Sequence, residues 1–227
     1  MRTEQVFFQG HAGRIECAID LPDTAVRGWA LCLHPHPLFD GANTNKVVTT
    51  MARACVQHGL MALRPNFRGV GQSEGLFDHA KGETLDMMAL IQQFLLQYPE
   101  QQNQPWVLGG FSFGTAVAAQ VYAELSDAIQ GVNQSAISSS VQVALPKQLI
   151  LLGPGVWRFA YREVSLPDDT LLVHGEKDEV IPLADAYDWL KDRQLPITVI
   201  PDSGHFFHGK LVILKNIIQR QLQLMAG

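Results

Sequence analysis

Charge, cysteine and long apolar runs are all scarce in this 227-residue chain, and each scarcity excludes something. Charged residues make up 17% against 47% hydrophobic, so the chain is no disordered polyelectrolyte and has the means to bury a core. The 17 lysines and arginines fall short of the 22 aspartates and glutamates, and the net charge of −5 offers no basic face to nucleic acid or an anionic membrane. No apolar run approaches the ~20 residues of a membrane-spanning helix. Residues 1–5 lack the charged-then-apolar layout of a secretion signal, and a cytoplasmic protein is expected. Cys17, Cys32 and Cys55 are odd in number, scattered, and set in apolar runs. They suit reduced core residues rather than a disulfide framework. With no linker, repeat or low-complexity tract, residues 1–227 are expected to form one domain.

What is present is an alternation of two patterns. After an opening that reads as a β-hairpin (6–8 and 14–19, broken by Gly10 and Gly13) come six short apolar runs bounded by turn residues, at 29–33, 60–63, 106–109, 149–152, 170–174 and 197–200. They are too continuous to face water on one side, which marks strands buried on both faces of a parallel sheet. Between them lie amphipathic stretches at 45–58, 83–97, 113–125, 183–193 and 209–224. The alternation predicts an α/β fold: a mostly parallel, doubly wound sheet with helices on both faces and an N-terminal hairpin. A polar stretch at 130–140 is expected to run over the surface. The connection at 156–169 is only about a dozen residues, too short for a lid domain, so an open site is expected.

Gly110-Phe111-Ser112-Phe113-Gly114 directly follows one of these strands and directly precedes a helical stretch. A serine nucleophile belongs on such a strand-to-helix turn, where small neighbours let the backbone fold tightly and the helix N-terminus faces the reacting oxygen. The motif alone also fits a glycine-rich turn with a capping serine; the strand–turn–helix context favours catalysis.

A serine hydroxyl needs a histidine to take its proton and a carboxylate to orient the histidine. Two later loops, each leaving the carboxyl end of a strand, supply them in the order serine, acid, histidine: Gly175 to Pro182, then Pro201 to His208. Among the acids, Asp178 is favoured over Glu176, Glu179 and Asp202, because it sits between the turn glycine and Val180-Ile181-Pro182, where the loop bends back to the sheet. Asp168 and Asp169 precede their strand and so fall at the wrong edge. For the base, His205 follows Gly204 directly, whereas His208 borders the terminal helix.

The loop after the first parallel strand, His34-Pro35-His36-Pro37-Leu38, is the expected source of one oxyanion N–H, with Phe113 the source of the other. The prolines have no N–H, which leaves His36 or Leu38, with His36 favoured. His34 and His36 also resemble half a metal site, supplemented at best by His174 and Glu176, but two ligands make a weak motif and no metal is expected. The glycine-rich Asn66–Gly75 segment lacks the endings of nucleotide-binding loops. It is expected to be a long turn over the site, with Asn66 and Arg68 bonding its own backbone. Trp157, Phe159 and Tyr161 are candidates for an acyl pocket, and Phe206 and Phe207 flank the candidate base.

Taken together, Gly110–Gly114, His174–Pro182 and Ser203-Gly204-His205 resemble the α/β-hydrolase family over nearly the whole chain. The segments His34–Leu38, Asn45-Lys46-Val47-Val48 and Asn66–Gly75 are similar to a small bacterial branch of it without a lid. That branch resembles dienelactone hydrolases and acyl peptidases as well as esterases. The resemblance implies an α/β-hydrolase fold and a serine hydrolase cleaving small carboxylic esters, with Ser112, Asp178 and His205 catalytic, the Phe113 and His36 N–H groups as oxyanion donors, and no cofactor. A thioester or amide substrate is the alternative within enzymes. A non-catalytic protein binding a small ligand is the alternative outside them.

Overall fold

The structure, a computed structural model, describes residues 1–132 and 143–226. The chain runs β1 (Arg2–Gly10), β2 (Gly13–Leu21), β3 (Trp29–Leu33), α1 (Lys46–Gln57), β4 (Met61–Pro65), α2 (Lys81–Gln97), β5 (Trp106–Phe111), α3 (Phe113–Ile129), β6 (Gln148–Leu152), α4 (Val156–Phe159), β7 (Leu171–Gly175), α5 (Leu183–Leu190), β8 (Thr198–Ile200) and α6 (Leu211–Gln223). The eight strands make one sheet in the order β1-β2-β4-β3-β5-β6-β7-β8. The hairpin β1–β2 is antiparallel and joins β4 antiparallel; all other pairs are parallel. This is the α/β-hydrolase architecture, and the β6–β7 connection carries only the four-residue α4 where a lid would stand.

Alternate residues of each central strand feed two cores, as a period of two requires. Trp29, Leu31 and Leu33 of β3 pack with Leu108, Leu149 and Leu151 against Met87, Leu90 and Phe94 of α2 and Val117 and Val121 of α3. Ala30 and Cys32, with Val107, Ile150 and Leu152, face Val48 and Met51 of α1 and Leu214 and Ile218 of α6. The indoles of Trp29 and Trp106 stack at 4.3 Å between adjacent strands. Cys17, Cys32 and Cys55 are free and buried in these cores.

Two expectations need correcting. β8 is not buried on both faces: it is the sheet edge, with Thr198 exposed and Ile200 alone buried. The Asn66 and Arg68 side chains do not bond their own turn. Asn66 donates to Glu16 on β2 and accepts from the Asn43 N–H, and Arg68 pairs with Asp86 on α2. The turn is pinned to the hairpin instead, the Glu74 N–H donating to the Arg14 carbonyl and the Glu16 N–H to the Ser73 hydroxyl. The polar segment at 130–140 lies outside the described residues from residue 133 onward. No helix among the described residues is long and apolar enough to cross a membrane.

Candidate active site

The parallel strands end on one edge of the sheet, and the loops that leave β3, β5, β7 and β8 there meet. Between β5 and α3, Ser112 holds φ 54° and ψ −120°, a left-handed backbone that a non-glycine residue keeps only where the surroundings impose it. Two close approaches impose it. A Cβ on Gly110 would lie 2.2 Å from the Gly114 carbonyl oxygen, and one on Gly114 would lie 2.6 Å from the Leu33 and His34 carbonyl oxygens. Both positions must be glycine for the turn to close against β3. The Ser112 N–H donates to Leu152 on β6 (2.9 Å), and the Thr115 hydroxyl donates to the Ser112 carbonyl (2.5 Å) while accepting the Gly155 N–H (2.9 Å).

The Ser112 hydroxyl lies 2.9 Å from Nε2 of His205, and Nδ1 of His205 lies 2.7 Å from Oδ2 of Asp178. All three residues are buried, Ser112 to 5% exposure. Oδ1 of Asp178 accepts the N–H groups of Val180 (2.9 Å) and Ile181 (2.8 Å), which curls the loop around its carboxylate. Burial works to raise the Asp178 pKa, but the His205 hydrogen bond and charge and the Ile181 N–H outweigh it, and the carboxyl sits below its ordinary value.

The rival residues lie elsewhere. Glu176 accepts the Asp202 N–H, and Asp202 pairs with Lys177 in solvent. Glu179 receives the backbone N–H of His205 (3.2 Å), not its ring. His208 is exposed and its ring packs on Phe206. Phe206 stands edge-on to His205, while Phe207 turns into the core.

On the opposite wall, Nδ1 of His36 accepts the Leu38 N–H (3.2 Å), capping the short turn Pro37–Phe39. That N–H is therefore spent locally, whereas the His36 and Phe113 N–H groups have no protein acceptor among the described residues. His34 is buried with both nitrogens engaged: Nδ1 donates to the Pro35 carbonyl (2.7 Å) and Nε2 accepts the Phe67 N–H (2.8 Å). Burial holds it neutral, its pKa pushed down to about 3. Among the described residues no three histidine, cysteine or acidic side chains gather as metal ligands.

Of the three aromatics expected to line a pocket, only Phe159 reaches the site, 5.6 Å from the rings of both Phe113 and His36. Trp157 packs on Trp189, and the Tyr161 hydroxyl donates to Glu124. Sequence reasoning missed Phe77, which lies 4.7 Å from His36 and 5.5 Å from Phe113 and completes the wall. Leu38, Phe39 and Leu76 stand out around it, 66%, 79% and 83% exposed. It also gave His174 only as a metal ligand. The signal it overlooked was the four-residue spacing to Asp178, whose Oδ2 lies 3.3 Å from Nε2 of His174.

No protein-family model matches the chain. It is 32% identical to an α/β serine hydrolase homologue from Coxiella burnetii, over 98% of each chain, with a TM-score of 0.78. It is 30% identical to XC6422 from Xanthomonas campestris, an α/β serine hydrolase without a lid, over 99% of this chain and 95% of that one, at a TM-score of 0.80. It is also 31% identical over 214 residues to the uncharacterised protein RP471 of Rickettsia prowazekii, covering 91% of this chain and 83% of that protein.

Proposed function

This chain belongs to the α/β serine hydrolases, and on that footing we propose that it is an esterase of small carboxylic esters acting through a covalent acyl-enzyme. Ser112 attacks the ester carbonyl carbon as Nε2 of His205 takes the hydroxyl proton. Asp178 holds the Nδ1–H tautomer and stabilises the imidazolium. The N–H groups of Phe113, at the head of the 17-residue α3, and of His36 receive the oxyanion. Collapse of the tetrahedral intermediate breaks the bond to the alkoxy group, which leaves with the proton from His205. Water, activated by His205, then adds to the acyl carbon and releases the acid and Ser112. Bond making and proton transfer balance with these groups and water alone.

The observation that carries this reading is the continuous relay from the Ser112 hydroxyl through both nitrogens of His205 to Asp178, at 2.9 and 2.7 Å. The backbone of Ser112 supports catalysis over mere ligand binding. A positive φ at a serine costs about 1–3 kcal/mol, which a binding protein would shed by substitution. The test is labelling by a fluorophosphonate probe followed by hydrolysis of p-nitrophenyl esters. Modification of Ser112 in folded protein, absent after denaturation and in Ser112→Ala, is expected. An unlabelled Ser112 with no ester turnover would refute the reading.

A further inference from the structure

A second imidazole lies behind the Asp178–His205 pair. His174, next to last on β7 and paired in register with Val199 of β8, is fully buried. Its Nε2 is 2.8 Å from the Ile181 carbonyl oxygen and 3.3 Å from Oδ2 of Asp178. A carbonyl oxygen only accepts, so Nε2 carries the proton and Nδ1 is a bare lone pair. That Nδ1 is buried with no partner among the described residues. A leucine of similar volume would remove the unpartnered Nδ1 but leave the Ile181 carbonyl without its donor, so what the histidine supplies beyond packing is its Nε2–H.

The Asp178 carboxylate shows what the histidine supplies. Its Oδ1 is held by two backbone N–H groups of its own loop, one of them that of Ile181. Oδ2, the oxygen facing His205, receives Nδ1–H of His205; Nε2 of His174 lies 3.3 Å from it on the sheet side but directs its one N–H to the Ile181 carbonyl. The same Nε2–H ties Ile181, at the far end of the loop, to the rigid end of β7. We propose that His174 is a positioning residue, whose Nε2–H anchors the loop through the carbonyl of Ile181, the residue whose own N–H holds Oδ1 of Asp178 and so aims the carboxylate at His205. The proposal rests on the triad reading above. Burial pushes the His174 pKa down, which keeps a second cation from competing for the Asp178 charge that must serve the His205 imidazolium.

The test is steady-state kinetics on p-nitrophenyl butyrate with His174→Leu, His174→Gln and His174→Asn, alone and combined with Asp178→Asn, each variant checked for folding by circular dichroism. His174→Leu should lower kcat about ten- to hundredfold with KM changed less than about threefold, the size of effect typical of residues that orient a working ligand. Glutamine places an amide N–H where Nε2 stands and should restore most of that loss. Asparagine, one carbon shorter, should not. In the Asp178→Asn background, His174→Leu should add less than about twofold, because its effect passes through Asp178. A folded His174→Gln as slow as His174→Leu, or a leucine penalty undiminished in Asp178→Asn, would overturn the proposal. Wild-type activity in Asp178→Asn itself would instead bring down the triad reading beneath it.

Discussion

Ser112 and His205 stand 93 residues apart in the chain and 2.9 Å apart in space, joined through a single hydrogen bond between loops on different strands. Because each is useless to the reaction without the other, their removal should not be additive. Ser112→Ala and His205→Ala are each expected to lower kcat by roughly 10⁴ or more, with the double variant little worse. His208→Ala, which removes an exposed ring packed on Phe206, should stay near wild type. A loss in His208→Ala equal to that in His205→Ala would move the base.

The carboxylates separate in the same assay. Asp178→Asn keeps the shape of the side chain but offers the imidazole an N–H or the wrong tautomer, and should cost up to ~10⁴ in kcat. Glu179→Gln retains an oxygen for the His205 N–H and should keep most activity, as should Glu176→Gln and Asp202→Asn, whose partners lie in the exposed loop edges. Near-full activity in Asp178→Asn beside its loss in Asp202→Asn would place the acid on the later loop.

The central strands are legible in the sequence because burial on both faces forces unbroken apolar runs, as in Leu149–Leu152. The edge strand β8 broke that rule: it has one neighbour, and Thr198 faces water. The approach of Ser112, Asp178 and His205 could be anticipated, since each leaves the carboxyl end of a strand within a short loop. Contacts that depend on side-chain direction could not. Choosing between the His36 and Leu38 N–H groups required knowing that the His36 ring folds back onto Leu38. Phe77 reaches the site just before His79 and Ala80, both at positive φ, and nothing in their residue types announces that backbone. His174 meets Asp178 only once the intervening loop curls around its own carboxylate.

Stability should fall in mild acid. His34 is neutral in the fold with a pKa near 3, against 6.5 as its ordinary value. In the unfolded chain it binds a proton below pH 6.5, so the unfolded state holds more protons across the window from 6.5 down to about 3. The contribution of a neutral His34 is therefore complete above pH 6.5 and is lost progressively below it, at up to ~1.4 kcal/mol per pH unit. His174, lowered chiefly by burial, acts in the same direction. Asp178, held below its ordinary 3.8, adds an acid-side loss only below that value. Urea unfolding at pH 7.5, 6 and 5 checks this: stability should drop with each step, and His34→Asn, less stable at pH 7.5, should show a shallower drop. A stability independent of pH between 7.5 and 5 would refute it.

Substrate length follows from the wall beside Ser112. The rings of His36, Phe77, Phe113 and Phe159 pack against one another at 4.7 to 5.6 Å, and the β6–β7 connection adds only the four residues of α4 above them. An acyl chain lying along the half-buried rings of His36, Phe77 and Phe159 is expected to run out into solvent beyond them. Each methylene that gains apolar contact contributes ~0.8 kcal/mol, about fourfold in kcat/KM, and each that projects into water contributes nothing. The kcat/KM for p-nitrophenyl esters should therefore rise from acetate and flatten by about C6, with butyrate turned over faster than palmitate. Phe159→Ala removes part of the wall and should lower kcat/KM for butyrate more than for acetate, since the shorter acyl group reaches less of it. Faster turnover of palmitate than of butyrate would mean that a long apolar channel forms on binding, and the open-wall account of specificity would be wrong.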